Sequence, residues 1–302
     1  MKRGRAVLER LAVAAFAAAA LIVPAAHAAK PQRIVSINLC TDQLLVDLVP
    51  RQRIAALSHL AADATLSAVA PRVDGIRTVP GSAEQVLSLA PDLVLTTDYS
   101  TPQVVALLKR VGVNVVSVPL ASDLDAIRSA VRQVAAAVGE VGRGEAVIAD
   151  FDRRLAALQP AGALRPTALA YQVNSLTAGP GGIIDTMLRT AGYRNTATEM
   201  KLGPAGRLPL ETIVTHPPNL IVLANAPDAF RSVTADNLRH PALRDVLRRR
   251  PHAEIPMPIW LCGSPAVAEG IERLAAERGR AGESVAVMPG MAGAAAIGSR
   301  AQ

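Results

Sequence analysis

Two glutamates stand at matched places in two copies of one short pattern. From Glu84 the chain reads EQVLSLAPDLVL, and from Glu211 it reads ETIVTHPPNLIV. Each copy has Glu first, an apolar pair third and fourth, Pro eighth, Asp or Asn ninth and Leu tenth. An acid at a helix start interacts favourably with the helix dipole, by under about 1 kcal/mol. An exposed acid on such a turn can also meet a cation on a partner. Other chemically capable residues follow predicted strands. His59 could ligate a metal or bond a ligand carboxylate, or serve as an ordinary loop residue. Tyr99, Tyr171 and Trp260 are three of only seven aromatic residues. Such rings either stack on a flat ligand or plug local core. Cys40 and Cys262 allow a single intramolecular pairing. They form a bridge, stay buried and free, or face a ligand as thiolates. Arg77 could meet an anion. The run GPGG at 179–182 opens a helix and is either a plain turn or a set of N–H donors for an anion.

The same residues argue against catalysis. Ser36 and Ser58 lack the G-x-S-x-G context of an activated nucleophile. No P-loop, and no G-x-G-x-x-G after a strand, is present in the sequence. No paired His cluster has metal-ligand spacing. An enzyme and a bare-metal site made of protein ligands alone are both disfavoured.

The elements that must position these residues alternate. Strands are predicted at 33–38, 53–58, 92–97 and 113–118, with helices at 42–49, 82–89 and 101–112 between them. Ser82 is the expected cap of the second helix. Strand–helix alternation implies a parallel sheet covered on both faces. A helical region follows, with 123–139 pausing at Gly139 to Gly142 and 143–159 continuing to Pro160. The pattern then restarts: strands at 167–173 and 219–225, and helices at 181–192, 210–216, 238–250 and 266–279. The doubled Glu unit thus marks two similar lobes, with residues 29–142 and 161–279 on either side of a connecting helix at 143–160; a single doubly wound sheet is the other reading. In each unit the apolar pair, Val86 and Leu87 or Ile213 and Val214, should face the core and leave the Glu in solvent. Residues 280–302 read as a loose tail.

Residues 1–28 read as a secretory signal. Lys2, Arg3, Arg5 and Arg10 precede an apolar run, Leu11 to Val23, and Ala26-His27-Ala28 is a small-x-small cleavage pattern. The other reading is an uncleaved anchor, although the run is shorter than the roughly 20 residues of a spanning helix. Cleavage would remove four basic residues and Glu9, taking the net charge from +7 to +4. No basic stripe with interleaved aromatics suggests nucleic acid. The run Arg248 to Arg250 reads as a solvated helix end. An exported chain would meet an oxidising compartment.

Taken together, RIVSINLCTDQLLVDL (33–48), the doubled Glu unit, the helical tie and AGYRN (191–195) resemble the periplasmic substrate-binding proteins of ABC importers for iron complexes and cobalamin. The resemblance covers residues 31–279. It implies an α/β fold of two similar lobes, with parallel-sheet cores joined by one long rigid helix. It implies a binder rather than an enzyme, monomeric, and periplasmic after cleavage near Ala28. The ligand would sit between the lobes, against loops holding Leu39, Cys40, His59, Tyr99, Tyr171, Trp260 and Cys262. Glu84 and Glu211 would dock on arginines of two permease subunits, one lobe each. No cofactor is implied beyond the transported cargo. Thr78 and Thr97 stand where cobalamin binders carry rings, so an iron–siderophore or similar metal chelate is the expected cargo, with cobalamin the alternative.

Overall fold

The computed structural model describes residues 29–158, 165–224 and 235–286. The expected signal at 1–28, the end of the tail, and residues Gln159, Pro160 and Asn225 of the expected elements lie outside these.

The first lobe is built on one parallel sheet. Its strands are β1 (Ile34–Ser36), β2 (Ile54–Ser58), β3 (Thr78–Val79), β4 (Leu93–Thr97) and β5 (Val115–Val118), in the order β3-β2-β1-β4-β5. The second lobe repeats the plan with β6 (Thr167–Ala170), β8 (Arg194–Asn195), β10 (Leu220–Leu223) and β11 (His252–Glu254), in the order β11-β10-β6-β8, again parallel. Two short strands, β7 (Leu176–Thr177) and β9 (Gly206–Arg207), pair antiparallel beside it. In both lobes the first strand is central. The strand that follows the Glu unit lies against it, pairing Ile34 with Leu93 and Ala168 with Leu220.

Period-two alternation feeds both faces of each sheet. In the first lobe Ile34, Leu57, Leu93 and Leu95 enter one apolar cluster, while Val35, Ala56 and Val94 enter another on the opposite face. In the second, Ala168, Ala170, Leu220 and Val222 pack on one side and Leu169, Ile221 and Leu223 on the other. Helix α1 (Leu39–Leu48) covers one face of the first sheet. Helices α2 (Ala83–Leu87) and α3 (Pro102–Arg110) cover the other. Ser82 caps α2, its side chain accepting from Gln85 N.

The link between lobes is a helix pair. α4 (Leu124–Val138) starts at the Asp123 cap and ends at Gly139, whose φ of 74° is left-handed. Glycine takes that conformation without the Cβ penalty. α5 (Val141–Ala156) then carries the chain across. It begins and ends a few residues before the expected 143–160, because Gly142 and Gly144 lie inside it. Gly144 allows close approach, since a Cβ there would stand 2.5 Å from the Cβ of Ala135. α5 serves both cores: Ile148 enters the first lobe's cluster and Phe151 the second's. Arg154 forms a bidentate pair with Glu272, at 2.8 and 2.7 Å, on the terminal helix.

In the second lobe α6 (Ile183–Thr190), α7 (Thr196–Glu199) and α8 (Leu210–Thr215) precede β10. The single helix expected at 238–250 is two, α9 (Asp236–Arg239) and α10 (Pro241–Arg249). Pro241 forces His240 out of helical conformation, to ψ 133°. After β11 come α11 (Met257–Trp260) and α12 (Val267–Ala286). α12 runs past Gly279 into the expected tail. Ala281 is fully buried in the core, and that packing outweighs the weak helix propensity of glycine.

Candidate functional site

Parallel strands end together, so each lobe has one carboxyl edge. On the first lobe it comprises the loops after Ser36, Ser58, Val79, Thr97 and Val118. Strand order reverses between β1 and β4, the place where open α/β sheets bind ligands. The second lobe has the same reversal between β6 and β10. Cys40 follows β1 and Cys262 follows β11, and the two are joined in a disulfide with Cα atoms 5.2 Å apart. The bridge therefore turns the two carboxyl edges toward each other, and the crevice between them is the candidate site.

More than the bridge holds the floor. Ser264 Oγ donates to Gln43 Oε1 at 2.9 Å, with both residues buried. Gly263 presses on the first lobe so closely that a Cβ would lie 2.3 Å from the carbonyl oxygen of Ala121. Thr186 Oγ1 donates to Ser122 O at 3.3 Å. The disulfide consumes both thiols, so neither faces a ligand as a thiolate.

The remaining candidates divide. Tyr99 stands on the loop after β4 with 81% of its surface exposed. His59 is exposed after β2. β1 runs between them, which at sheet spacing puts the two loops roughly 10 Å apart. Trp260 lies in the second lobe's edge, 3% exposed, and lines a concavity of about 290 Å³ with Met257, Leu261, Ile183 and Ile184. Two candidates do not reach the crevice. Tyr171 is fully buried, its hydroxyl 3.0 Å from Ser175 Oγ. It continues the alternation of β6 one residue past the strand, bonding to Val222 O, and so falls beside Leu169 on the core face. Leu39 is 5% exposed in the first turn of α1. Arg77 is exposed. Among the described residues no group of three or more His, Cys, Asp or Glu gathers as for a metal.

One residue beneath the site was not foreseen. Asp42, fully buried in α1, accepts from Ser58 N at 3.1 Å and from the Ser58 hydroxyl. It thereby holds the strand end that delivers His59. Its only sequence signal is an acid three residues from Leu39 and from Leu45, at helical spacing with two apolar residues. Burial pushes its carboxyl up from 3.8 to about 7, against the downward pull of the Ser36 hydroxyl and of the Ser58 bonds. A raised folded value means that stability is fully present below about pH 4 and is lost as pH rises toward 7. By 1.36 kcal/mol per unit the loss is on the order of 4 kcal/mol. Asp42→Asn carries no such charge, so it should gain on the parent between pH 5 and pH 8. Urea unfolding of both proteins at the two pH values checks this, and a difference independent of pH would refute it.

Glu84 and Glu211 occupy equivalent places. Each stands in the first turn of a short helix, Glu84 in α2 after β3 and Glu211 in α8 after β9, one per lobe. Both are exposed, and among the described residues neither carboxylate is ion-paired. The apolar pairs behind them are less regular than expected. Val86 and Ile213 are buried, Leu87 is half-buried, and Val214 is 39% exposed. Helices this short turn only one residue of each pair fully inward.

Residues 34–246 match the Periplasmic binding protein family. The chain belongs to that family. Its members are substrate-binding proteins rather than enzymes. No curated protein matches this binding protein by sequence. Solved structures share its two-lobed fold. The periplasmic heme-binding protein RhuT from Roseiflexus sp. RS-1 superposes with a TM-score of 0.67 at 23% identity, covering 83% of this chain and 99% of that one. The periplasmic heme-binding protein HutB of Vibrio cholerae gives 0.68 at 17%, covering 81% and 98%. The periplasmic vitamin B12-binding protein BtuF of Vibrio cholerae gives 0.61 at 16%, covering 84% and 99%. Among the described residues no helix of this binding protein is long and apolar enough to cross a membrane.

Proposed function

We propose that this binding protein captures an iron chelate, a siderophore complex or haem, between its lobes and delivers it to a membrane permease of an ABC importer. Tyr99 carries the reading. It is a phenol left 81% exposed on the loop where the strand order reverses. Tyrosine oxygen and histidine nitrogen both serve as ligands to haem iron, and His59 stands on the loop beyond β1. The apolar shelf of Met257, Trp260 and Leu261 offers a surface for the body of a chelate. Proteins of the same fold are named for heme binding. The chelate is cargo, so the protein itself needs no cofactor. It works as a periplasmic monomer after cleavage near Ala28, and Glu84 and Glu211 are its contacts with the permease.

Cobalamin is the second reading, favoured by the same shelf and by the likeness to the B12 binder. Trp260 is the only tryptophan in the chain, so its fluorescence reports the shelf directly. Titration with hemin, a ferric hydroxamate siderophore and cyanocobalamin should give saturable quenching with an iron chelate, and Tyr99→Ala should weaken it at least tenfold. Quenching by cyanocobalamin alone would select the second reading. Quenching by none of the three would overturn both.

A further inference from the structure

We infer that Asp98 and Ser117 are positioning residues for Tyr99, holding the turn that presents its phenol to the cargo. The inference rests on the iron-chelate reading and deepens it. With 81% of its surface in solvent, Tyr99 has little packing to aim its ring. Its position is therefore set by the backbone beneath it. That backbone is a four-residue turn: Ser100 N donates to Thr97 O at 3.0 Å, with Asp98 and Tyr99 at the centre. Thr97 is buried at the end of β4, and its hydroxyl accepts from Tyr99 N at 3.4 Å.

A turn tied only at its own base can pivot about that base. A second tie comes from the side. Asp98 Oδ1 accepts from Ser117 Oγ at 2.6 Å. Ser117 lies on β5, opposite Thr96 in the ladder that β5 forms with β4. β5 is the edge strand of its sheet, and an edge leaves backbone groups without a strand partner. Here the Ser117 carbonyl accepts from Gln133 Nε2 at 2.9 Å, on α4. α4 is fixed in the first lobe's core by Val131 and Val134. The chain of contacts thus runs from the core through Gln133, Ser117 and Asp98 to the residue beside Tyr99. A hydrogen bond to a carboxylate is stronger than one between neutral groups, which suits it to an exposed position. A phenol held in place before the cargo arrives avoids part of the ordering cost of binding. Neither Asp98 nor Ser117 needs to touch the cargo for this.

A double-mutant cycle on the full-length protein tests the assignment. Hemin is the probe, read by Trp260 quenching and by the absorbance of the ferric haem, which responds to its axial ligand. Ser117→Ala and Asp98→Ala should each weaken hemin binding about fivefold, the scale of one hydrogen bond, and should shift the haem absorbance toward that of Tyr99→Ala. Ser117→Thr keeps a hydroxyl and should restore both. In the Tyr99→Ala background the two alanine substitutions should change nothing further. An undiminished effect there would mean that the pair acts on the cargo directly or elsewhere, and would overturn the inference. So would parent affinity and absorbance in both single variants. If Tyr99→Ala itself binds hemin as the parent does, the iron-chelate reading loses its carrier and the inference falls for that separate reason. It falls likewise if the parent binds no hemin.

Discussion

Replacing Cys40 and Cys262 together with alanine should lower the unfolding free energy by about 5 kcal/mol. The bridge spans 222 residues of sequence. In the chain-entropy model a closed loop of that length restricts the unfolded ensemble by about this amount. Native domains rest on only about 5–15 kcal/mol in total, so the variant should sit near the edge of folding at 37 °C. Urea unfolding of the parent with and without reductant, beside the double variant, measures it. Peptide mapping without reductant should recover the 40–262 link. An unchanged midpoint on reduction, or two alkylatable thiols in native protein, would contradict the pairing. The effect should also reach the ligand, because the bridge anchors the segment that carries Trp260.

Replacing Glu84 and Glu211 together should abolish uptake while leaving the isolated protein intact. Both acids are solvent-exposed at helix starts and unpaired among the described residues, so each alanine should change stability by less than about 0.5 kcal/mol. Ligand affinity should hold as well, since neither acid lines the concavity with Trp260. Transport differs because each acid lost would leave a permease cation without its partner. Truncating one member of such a desolvated pair costs about 2–5 kcal/mol. Charge reversal to arginine should be worse than alanine, and the double variant worse than either single. Uptake in cells beside calorimetry of the purified variants separates the cases. Full uptake with both acids gone would leave the doubled unit as a trace of gene duplication alone.

The lobes and their order were readable because two signals repeat. Strand alternation and the Glu unit recur on either side of a helical stretch, and each expected run holds a strand, although the one at 167–173 ends three residues early at Ala170. Short pieces escaped: β3, β8 and the β7–β9 pair hold two residues per strand and β11 three, too few for any period to show. The site was half legible. Tyr99 and His59 lie after strands and are exposed. Tyr171 also follows a strand, yet Ala168-Leu169-Ala170-Tyr171 alternates small with large, and that pattern continues into the core. The expected strand at 167–173 already contained Tyr171, so its burial could have been read from the pattern. Asp42 could not, since its role depends on Ser58, sixteen residues away. The concavity beside Trp260 needed the fold, because Ile183 and Ile184 reach it from a different part of the chain.

The two lobes are joined at two separate places, by α5 with its buried Phe151 and Arg154–Glu272 pair, and by the covalent bridge across the floor. Two fixed points leave a pair of rigid bodies one easy motion, rotation about the line through them. Little change in the crevice is therefore expected on ligand binding, and small-angle scattering with and without ligand checks it. A ligand then finds its walls already in position, and little ordering entropy is charged against its binding. The same rigidity would work against departure: on the reading proposed above, release would come from the permease, acting on the lobes through the two glutamates.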